Sequence, residues 1–73
     1  MFDMKEQPFN IKLKELRLDK KLRLIDVANA IGLTLRAISN YEAGTREPSL
    51  DILIKLCRFF DTTPNYLLGF SDY

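Results

Sequence analysis

The stretch Leu24–Gly44, LIDVANAIGLTLRAISNYEAG, decides the fold of this 73-residue chain. We predict two short helices in it, over residues 24–31 and 35–43, separated by a tight turn. Gly32 suits the left-handed backbone conformation that follows a helix end, because it has no side chain to clash. Thr34 suits the N-cap of the second helix, where its hydroxyl can accept a free backbone N–H.

Each of these two helices has an apolar face. Val27, Ala28 and Ile31 share one face of the first helix. Ile38 and Tyr41 lie three residues apart on the second. A short turn brings such faces together at a steep angle, which is the arrangement of a helix-turn-helix. The outer face of the second helix presents Leu35, Arg36, Ser39 and Asn40. The pattern therefore predicts a helix that reads DNA, and our hypothesis is sequence-specific DNA binding.

Composition restricts the class of protein. The chain is 47% apolar and 29% charged, which is typical of one small folded domain and argues against disorder. The longest aliphatic run, residues 52–54, is too short to cross a bilayer, and the N-terminus lacks a signal pattern. We expect a cytoplasmic protein with no membrane partner. One cysteine and no histidine argue against a disulfide and a zinc site, so we expect no metal and no cofactor.

The net charge of +1 hides an uneven distribution. Between Lys5 and Arg36 there are eight basic and four acidic residues, whereas the rest of the chain has three basic and six acidic ones. A basic half joined to an acidic half fits a molecule that turns one side toward phosphate. Chance placement of solvated charges produces the same asymmetry, so the support is weak.

Three further helices complete the predicted domain. The first begins at or just after Pro8 and ends near Lys20 or Lys21. Its predicted apolar stripe is Phe9, Leu13, Leu16 and Lys20. Ser49 caps a fourth helix that runs to about Phe60. The stripe predicted for that helix is Leu50, Leu53, Ile54, Cys57 and Phe60. Pro64 begins a short fifth helix that ends at Gly69.

Five short helices without a strand pattern predict a compact all-α domain. We divide the chain into an N-terminal arm over residues 1–8, a helix-turn-helix domain over 9–69 and a tail over 70–73. The start of the second helix is the weakest point. Arg23 at its N-cap cannot accept a backbone N–H, although Asp26 can reach back from three residues further on. We expect this helix start to fray or to be held by packing.

Several short motifs follow one another along the chain. They are Leu16-Arg17, Val27-Ala28, Ala30-Ile31-Gly32, Ile38-Ser39-Asn40-Tyr41-Glu42, Gly44, Arg46-Glu47-Pro48-Ser49 and Tyr66-Leu67-Leu68-Gly69. Each is weak alone, but their order and spacing resemble the Cro/C1-type (XRE-like) helix-turn-helix family of phage repressors and bacterial transcriptional regulators. The resemblance implies a lambda-repressor-like fold of five helices, with the helix-turn-helix at helices 2 and 3 and helix 3 in the major groove of DNA.

The resemblance also implies which residues contact DNA. Leu35, Arg36 and Asn40 occupy the positions that usually contact base edges. The chemistry agrees for two of them, because Arg matches guanine O6 and N7 and Asn can pair with adenine. Contacts to the DNA backbone are implied for Arg23, Leu24, Thr34, Ser39, Thr45 and Arg46.

Three positions depart from the family pattern. Leu24 stands where many relatives have Gln, Leu35 where a polar reader is common, and Ala43 where Asn is frequent. Leu35 can still contact a thymine methyl, and the backbone N–H of Leu24 still points outward at a helix start. Alternatively, Leu24 and Leu35 form a small apolar patch for a protein partner.

Three further features each allow two interpretations. Arg17 and Glu42 resemble a partly buried ion pair that ties helix 1 to the end of helix 3; alternatively they are unrelated surface charges. Cys57 fits packing better than redox sensing. Near the C-terminus, an aromatic group belongs either to the core or to a dimer face. Its members are Phe59, Tyr66 and Phe70.

We therefore expect a DNA-binding transcriptional regulator, most simply a homodimeric repressor whose partner is a double-stranded DNA operator. A two-fold dimer would place its reading helices about 34 Å apart. The alternative is an antitoxin-like module that binds a protein and also regulates its own operon. Nothing in the sequence supports an enzyme, because it offers no histidine, no nucleophile with a base partner and no glycine loop for phosphate.

Overall fold

Five α-helices follow one another in the computed structural model, which describes residues 8–70. They are α1 (Pro8–Asp19), α2 (Leu24–Ile31), α3 (Leu35–Ala43), α4 (Leu50–Phe59) and α5 (Pro64–Leu67). The described part of the chain contains no strand. The predicted all-α, five-helix architecture is therefore confirmed. The predicted arm and tail lie almost entirely outside the described residues.

The ends of α2 and α3 follow the cap residues expected from the sequence. Gly32 and Gly44 adopt the left-handed conformation with φ of 82° and 77°. The hydroxyl of Thr34 accepts the backbone N–H of Ala37 at 3.2 Å, which satisfies one of the free donors at the start of α3. The turn between the helices is therefore specified by local chemistry.

The other helix boundaries agree with the prediction to within two residues, although one residue of the apolar stripe predicted for α1 is wrong. α1 ends at Asp19 rather than at Lys20, and Lys20 is exposed although we placed it on the apolar stripe. Lys21 has a φ of 56°, so the backbone leaves the helical conformation there. At the other end, the hydroxyl of Ser49 caps α4 by accepting the N–H of Ile52.

The core lies among the inner faces of the five helices. Its buried members are Leu13, Val27, Ala28, Ile31, Ile38, Tyr41, Leu53, Leu56, Cys57, Phe60 and Leu67. α3 packs against both α1 and α2, so its direction depends on two helices. Among residues 8–70, each helix is too short or too polar to span a bilayer.

The predicted apolar stripe of α4 is wrong at two positions. Leu50 is 71% exposed and Ile54 is 37% exposed, whereas Leu56, which we left off the stripe, is fully buried. The three charged residues of α4 share one side of the helix, and the predicted stripe was placed beside that side instead of opposite it. Packing against α2 and α5 selects the face of Leu53, Leu56 and Phe60.

Candidate nucleic-acid interface

The outward face of α3 carries the residues predicted to read bases. Leu35 and Arg36 are exposed, whereas Ser39 and Asn40 are half-buried beside the neighbouring elements. Ala37, Ile38 and Tyr41 on the opposite face are buried in the core. Because one face of α3 is anchored and the other is open, the helix presents its polar side chains on a rigid support.

Arg17 and Glu42 form an ion pair between α1 and the C-terminal half of α3. Nε of Arg17 lies 2.6 Å from Oε2 of Glu42, and Nη2 donates to Oε1 at 3.0 Å. The two side chains are only 11% and 8% exposed. Nη1 of Arg17 also donates to the carbonyl of Leu22 at 2.9 Å. The hydrogen bond to Glu42 raises the pKa of Arg17. One guanidinium therefore joins α1, α3 and the loop that leads to α2.

Asn10 adds a second attachment of α1 to the same part of α3, and sequence reasoning missed it. Its Nδ2 donates to the backbone carbonyl of Glu42 at 3.3 Å. Its Oδ1 is buried and has no hydrogen-bond partner within the described residues. The contact joins residues 32 positions apart, and nothing in the local pattern around Asn10 indicates it. α1 thus holds Glu42 by its side chain and by its backbone.

The start of α2 is held by a hydrogen bond from its N-cap residue. The backbone N–H of Arg23 donates to Oδ2 of Asp26 at 2.8 Å, as the spacing allowed. The Arg23 side chain also binds this carboxylate, with Nη2 2.9 Å from Oδ1. These bonds from Arg23 lower the pKa of Asp26, the side-chain bond first. Fraying, one of the two outcomes we expected, is therefore opposed by a specific contact, and Leu24 packs against the core.

The predicted backbone-binding residues lie at the start of α2, at the N-cap and the middle of α3, and just past the C-terminal end of α3. Leu24 and Ser39 share a depression with residues of α1. Thr45 and Arg46 lie past the C-terminal end of α3, where Thr45 Oγ1 donates to the carbonyl of Asn40 and Arg46 lies over the Tyr41 ring. The structure thus brings Leu24 and Ser39 together in one depression that Arg46 does not line.

Cys57 is part of the core and has the environment of a packing residue. Its side chain is 5% exposed, and burial raises the pKa of its thiol. A raised pKa keeps the thiol protonated and unreactive at neutral pH. Within residues 8–70, no group of three acidic, histidine or cysteine side chains is placed to hold a metal ion.

Comparison with known proteins gives one family and several relatives. A family model described as helix-turn-helix matches residues 13–67. The HTH-type transcriptional regulator YobD of Bacillus subtilis is 36% identical over 61 residues, which cover 84% of this chain and 54% of YobD. The transcriptional repressor RstR of the cryptic phage CTXphi in Vibrio cholerae is 36% identical over 64 residues, covering 88% of this chain and 58% of RstR.

A solved structure shares both the fold and part of the sequence. It is the restriction-modification controller protein C.AhdI from Aeromonas hydrophila, which superposes with a TM-score of 0.77 at 33% identity. The match covers 84% of this chain and 92% of C.AhdI. By contrast, this chain spans about half the length of the relatives matched by sequence.

Proposed function

This chain belongs to the Cro/C1-type helix-turn-helix family, whose matched members are transcriptional regulators, and on that premise we propose that it binds double-stranded DNA and regulates transcription. The proposed mode inserts α3 into the major groove, with Leu35, Arg36 and Asn40 toward the base edges. The observation that carries this proposal is the exposed face of α3 on a helix that α1 and α2 hold from behind.

The three proposed readers would act by different chemistry. Arg36 presents a planar pair of donors suited to guanine O6 and N7, and the amide of Asn40 can pair with adenine. Leu35, which is 45% exposed, offers an apolar surface suited to a thymine methyl. Residues at the start of α2, along α3 and just past its C-terminal end would bind phosphates and so set the register without reading sequence. They are Arg23, Leu24, Thr34, Ser39, Thr45 and Arg46.

We further propose that the protein acts as a homodimer. A single module of this size would bury only about 600–1,000 Å² on DNA, which favours two modules on two half-sites. The C-terminal helices leave apolar side chains available for such an interface. Leu50, Ile54, Leu68 and Phe70 are each at least 36% exposed. Most simply, a dimer that occupies an operator would act as a repressor.

The decisive experiment is selection of bound sequences from random duplex DNA at two salt concentrations. We expect an inverted repeat whose half-sites lie about one helical turn apart. The dependence of affinity on salt would return the number of phosphates engaged. Failure to enrich any sequence would contradict the proposal.

Substitutions of two arginines distinguish contacts to base edges from contacts to phosphates. Arg36→Ala should relax the preference at one base pair, with a discrimination loss of about 1–3 kcal/mol. Arg46→Ala should weaken binding to all sequences alike and lower the salt slope by about one unit. If Arg36→Ala lost affinity equally on selected and random DNA, the assignment of Arg36 to base reading would be wrong.

A second candidate function rests on the exposed Leu35 at the N-terminal end of the proposed reading face. An apolar side chain there also suits a protein partner, as in an antitoxin-like module that regulates its own operon. Leu24 adds little to such a patch, because it is half-buried against the core. Selection without an enriched sequence would favour this alternative over the first proposal.

A further inference from the structure

A depression at the junction of α1, α2 and α3 has no function assigned to it by the contacts described above. It has a volume of about 290 Å³ and lies beside the outward face of α3. Its lining comprises Lys14 and Arg17 of α1, Leu24 of α2, and Ser39, Glu42 and Ala43 of α3. The depression therefore adjoins the surface that the proposed function turns toward DNA.

The charges in this depression do not cancel. Arg17 and Glu42 neutralise each other through two hydrogen bonds. Lys14 is exposed and, within residues 8–70, forms neither an ion pair nor a hydrogen bond. The lining therefore keeps one positive charge, which belongs to Lys14.

Pairing also decides which nearby cations are available to a ligand. Arg23, just before α2, is bound to Asp26 at 2.9 Å. The guanidinium of Arg17 is divided between the Glu42 carboxylate and the Leu22 carbonyl. All three nitrogens of the partly buried Arg17 guanidinium are engaged, and Arg23, although exposed, does not line the depression. Lys14 is the lining cation whose charge is unpaired within residues 8–70.

We propose that Lys14 and Ser39 together bind one phosphate of the DNA backbone in this depression. Lys14 supplies an ammonium group and Ser39 a hydroxyl donor, both suited to phosphate oxygens. The side chains of Leu24 and Ala43 offer no donor, and the Glu42 carboxylate is already bound by Arg17. The inference rests on the proposed function, since it requires DNA along the outward face of α3.

The test compares single substitutions on the operator selected above. Lys14→Ala should lower the salt slope by about 0.9, because one phosphate contact is lost. If the two proteins bind equally at about 1 M salt, Lys14→Ala should bind roughly eightfold more weakly than the wild type at about 0.1 M salt. Lys14→Arg should keep the wild-type slope. Lys55→Ala is the matched control, since Lys55 is an exposed lysine on α4, outside the interface.

Neutralising phosphates one at a time locates the contact. Replacing the phosphate that contacts Lys14 by a methylphosphonate should weaken wild-type binding but leave the Lys14→Ala variant almost unaffected. The Ser39→Ala variant should respond to the same replacement less than the wild type but more than Lys14→Ala, because it keeps the ammonium group of Lys14. If Lys14→Ala lowers the salt slope but no single methylphosphonate affects the wild type more than the variant, Lys14 acts only as a long-range charge. That result would overturn the proposed site.

The outcomes separate this inference from the proposed function. If the wild-type chain enriches an operator but Lys14→Ala binds it with unchanged affinity and slope, the phosphate site is wrong and the DNA-binding proposal stands. If the wild-type chain binds no DNA, both proposals fail. Melting curves of each variant check folding, and we expect no change for Lys14→Ala because the side chain is exposed.

Discussion

Substitution of Glu42 tests how much the ion pair between α1 and α3 contributes to the fold. Glu42→Ala removes a carboxylate that is 8% exposed and leaves the Arg17 guanidinium, 11% exposed, without its anion. Stranding one partner of a buried pair costs about 3–5 kcal/mol. Arg17 keeps its hydrogen bond to the Leu22 carbonyl, so we place the loss at the lower end, about 3 kcal/mol.

A loss of this size is large for a small domain. A change of 1 kcal/mol shifts Tm by about 4–8 °C in domains of this size, so we expect Tm to fall by roughly 12–24 °C. DNA binding should weaken as well, because Glu42 helps to hold α3 at its angle to α1. The backbone carbonyl of Glu42 remains, so the hydrogen bond from Asn10 is retained and the substitution isolates the side-chain pair.

Urea denaturation of four proteins measures the coupling. They are the wild type, Glu42→Ala, Arg17→Met and the double variant. The double variant should be more stable than the sum of the single losses predicts, because it strands no charge. Glu47→Ala is the control, since Glu47 is an exposed acidic residue that forms no ion pair within residues 8–70. If Glu42→Ala is as stable as Glu47→Ala, the pair does not support the fold and the reasoning is refuted.

Three further predictions follow from the caps and the core. Because contacts with Arg23 lower the pKa of Asp26, its carboxylate stabilises the folded state above the ordinary pKa, and this stabilisation is lost as the pH falls through the lowered pKa. The Tm advantage of the wild type over Asp26→Asn should therefore shrink below about pH 4 and be constant above about pH 6. Gly44→Ala should destabilise more than Gly32→Ala in urea denaturation: both glycines have positive φ, but an added Cβ would lie 3.1 Å from Nδ2 of Asn10 only at Gly44. Cys57 should react with a thiol reagent only as fast as the protein opens, so modification matching that of a free thiol would contradict its burial.

The positions of the helices were predictable because their signals are local. Gly32, Thr34 and Ser49 each act on the backbone within a few residues, so the sequence indicates where α2 ends and where α3 and α4 begin. The resemblance of the motif series to a family implied how the five helices are arranged. The candidate reading face followed from α3 alone, since Ile38 and Tyr41 identify the opposite side.

The inner face of α4 was predicted wrongly, and the attachments of α1 to α3 were predicted only in part. Leu50 lies beside the charged side of α4 and is exposed, whereas Leu56 lies on the side that packs against α2 and α5. Arg17 and Glu42 were paired by resemblance, but nothing in the sequence indicated that Arg17 also binds the Leu22 carbonyl. The contact of Asn10 with Glu42 was not anticipated, since it depends on the approach of α1 to the end of α3.

The sequence by itself determined the five helices and their caps, because these depend on spacing within one or two turns of backbone, and the order of motifs along the chain indicated the family. Only the tertiary structure decided which charged groups remain unpaired. Arg17 meets Glu42 across 25 positions of chain, while Lys14, one helical turn before Arg17, meets no partner in the described residues. That difference arises from the packing angle of α1 on α3, and helical periodicity along either helix does not contain it.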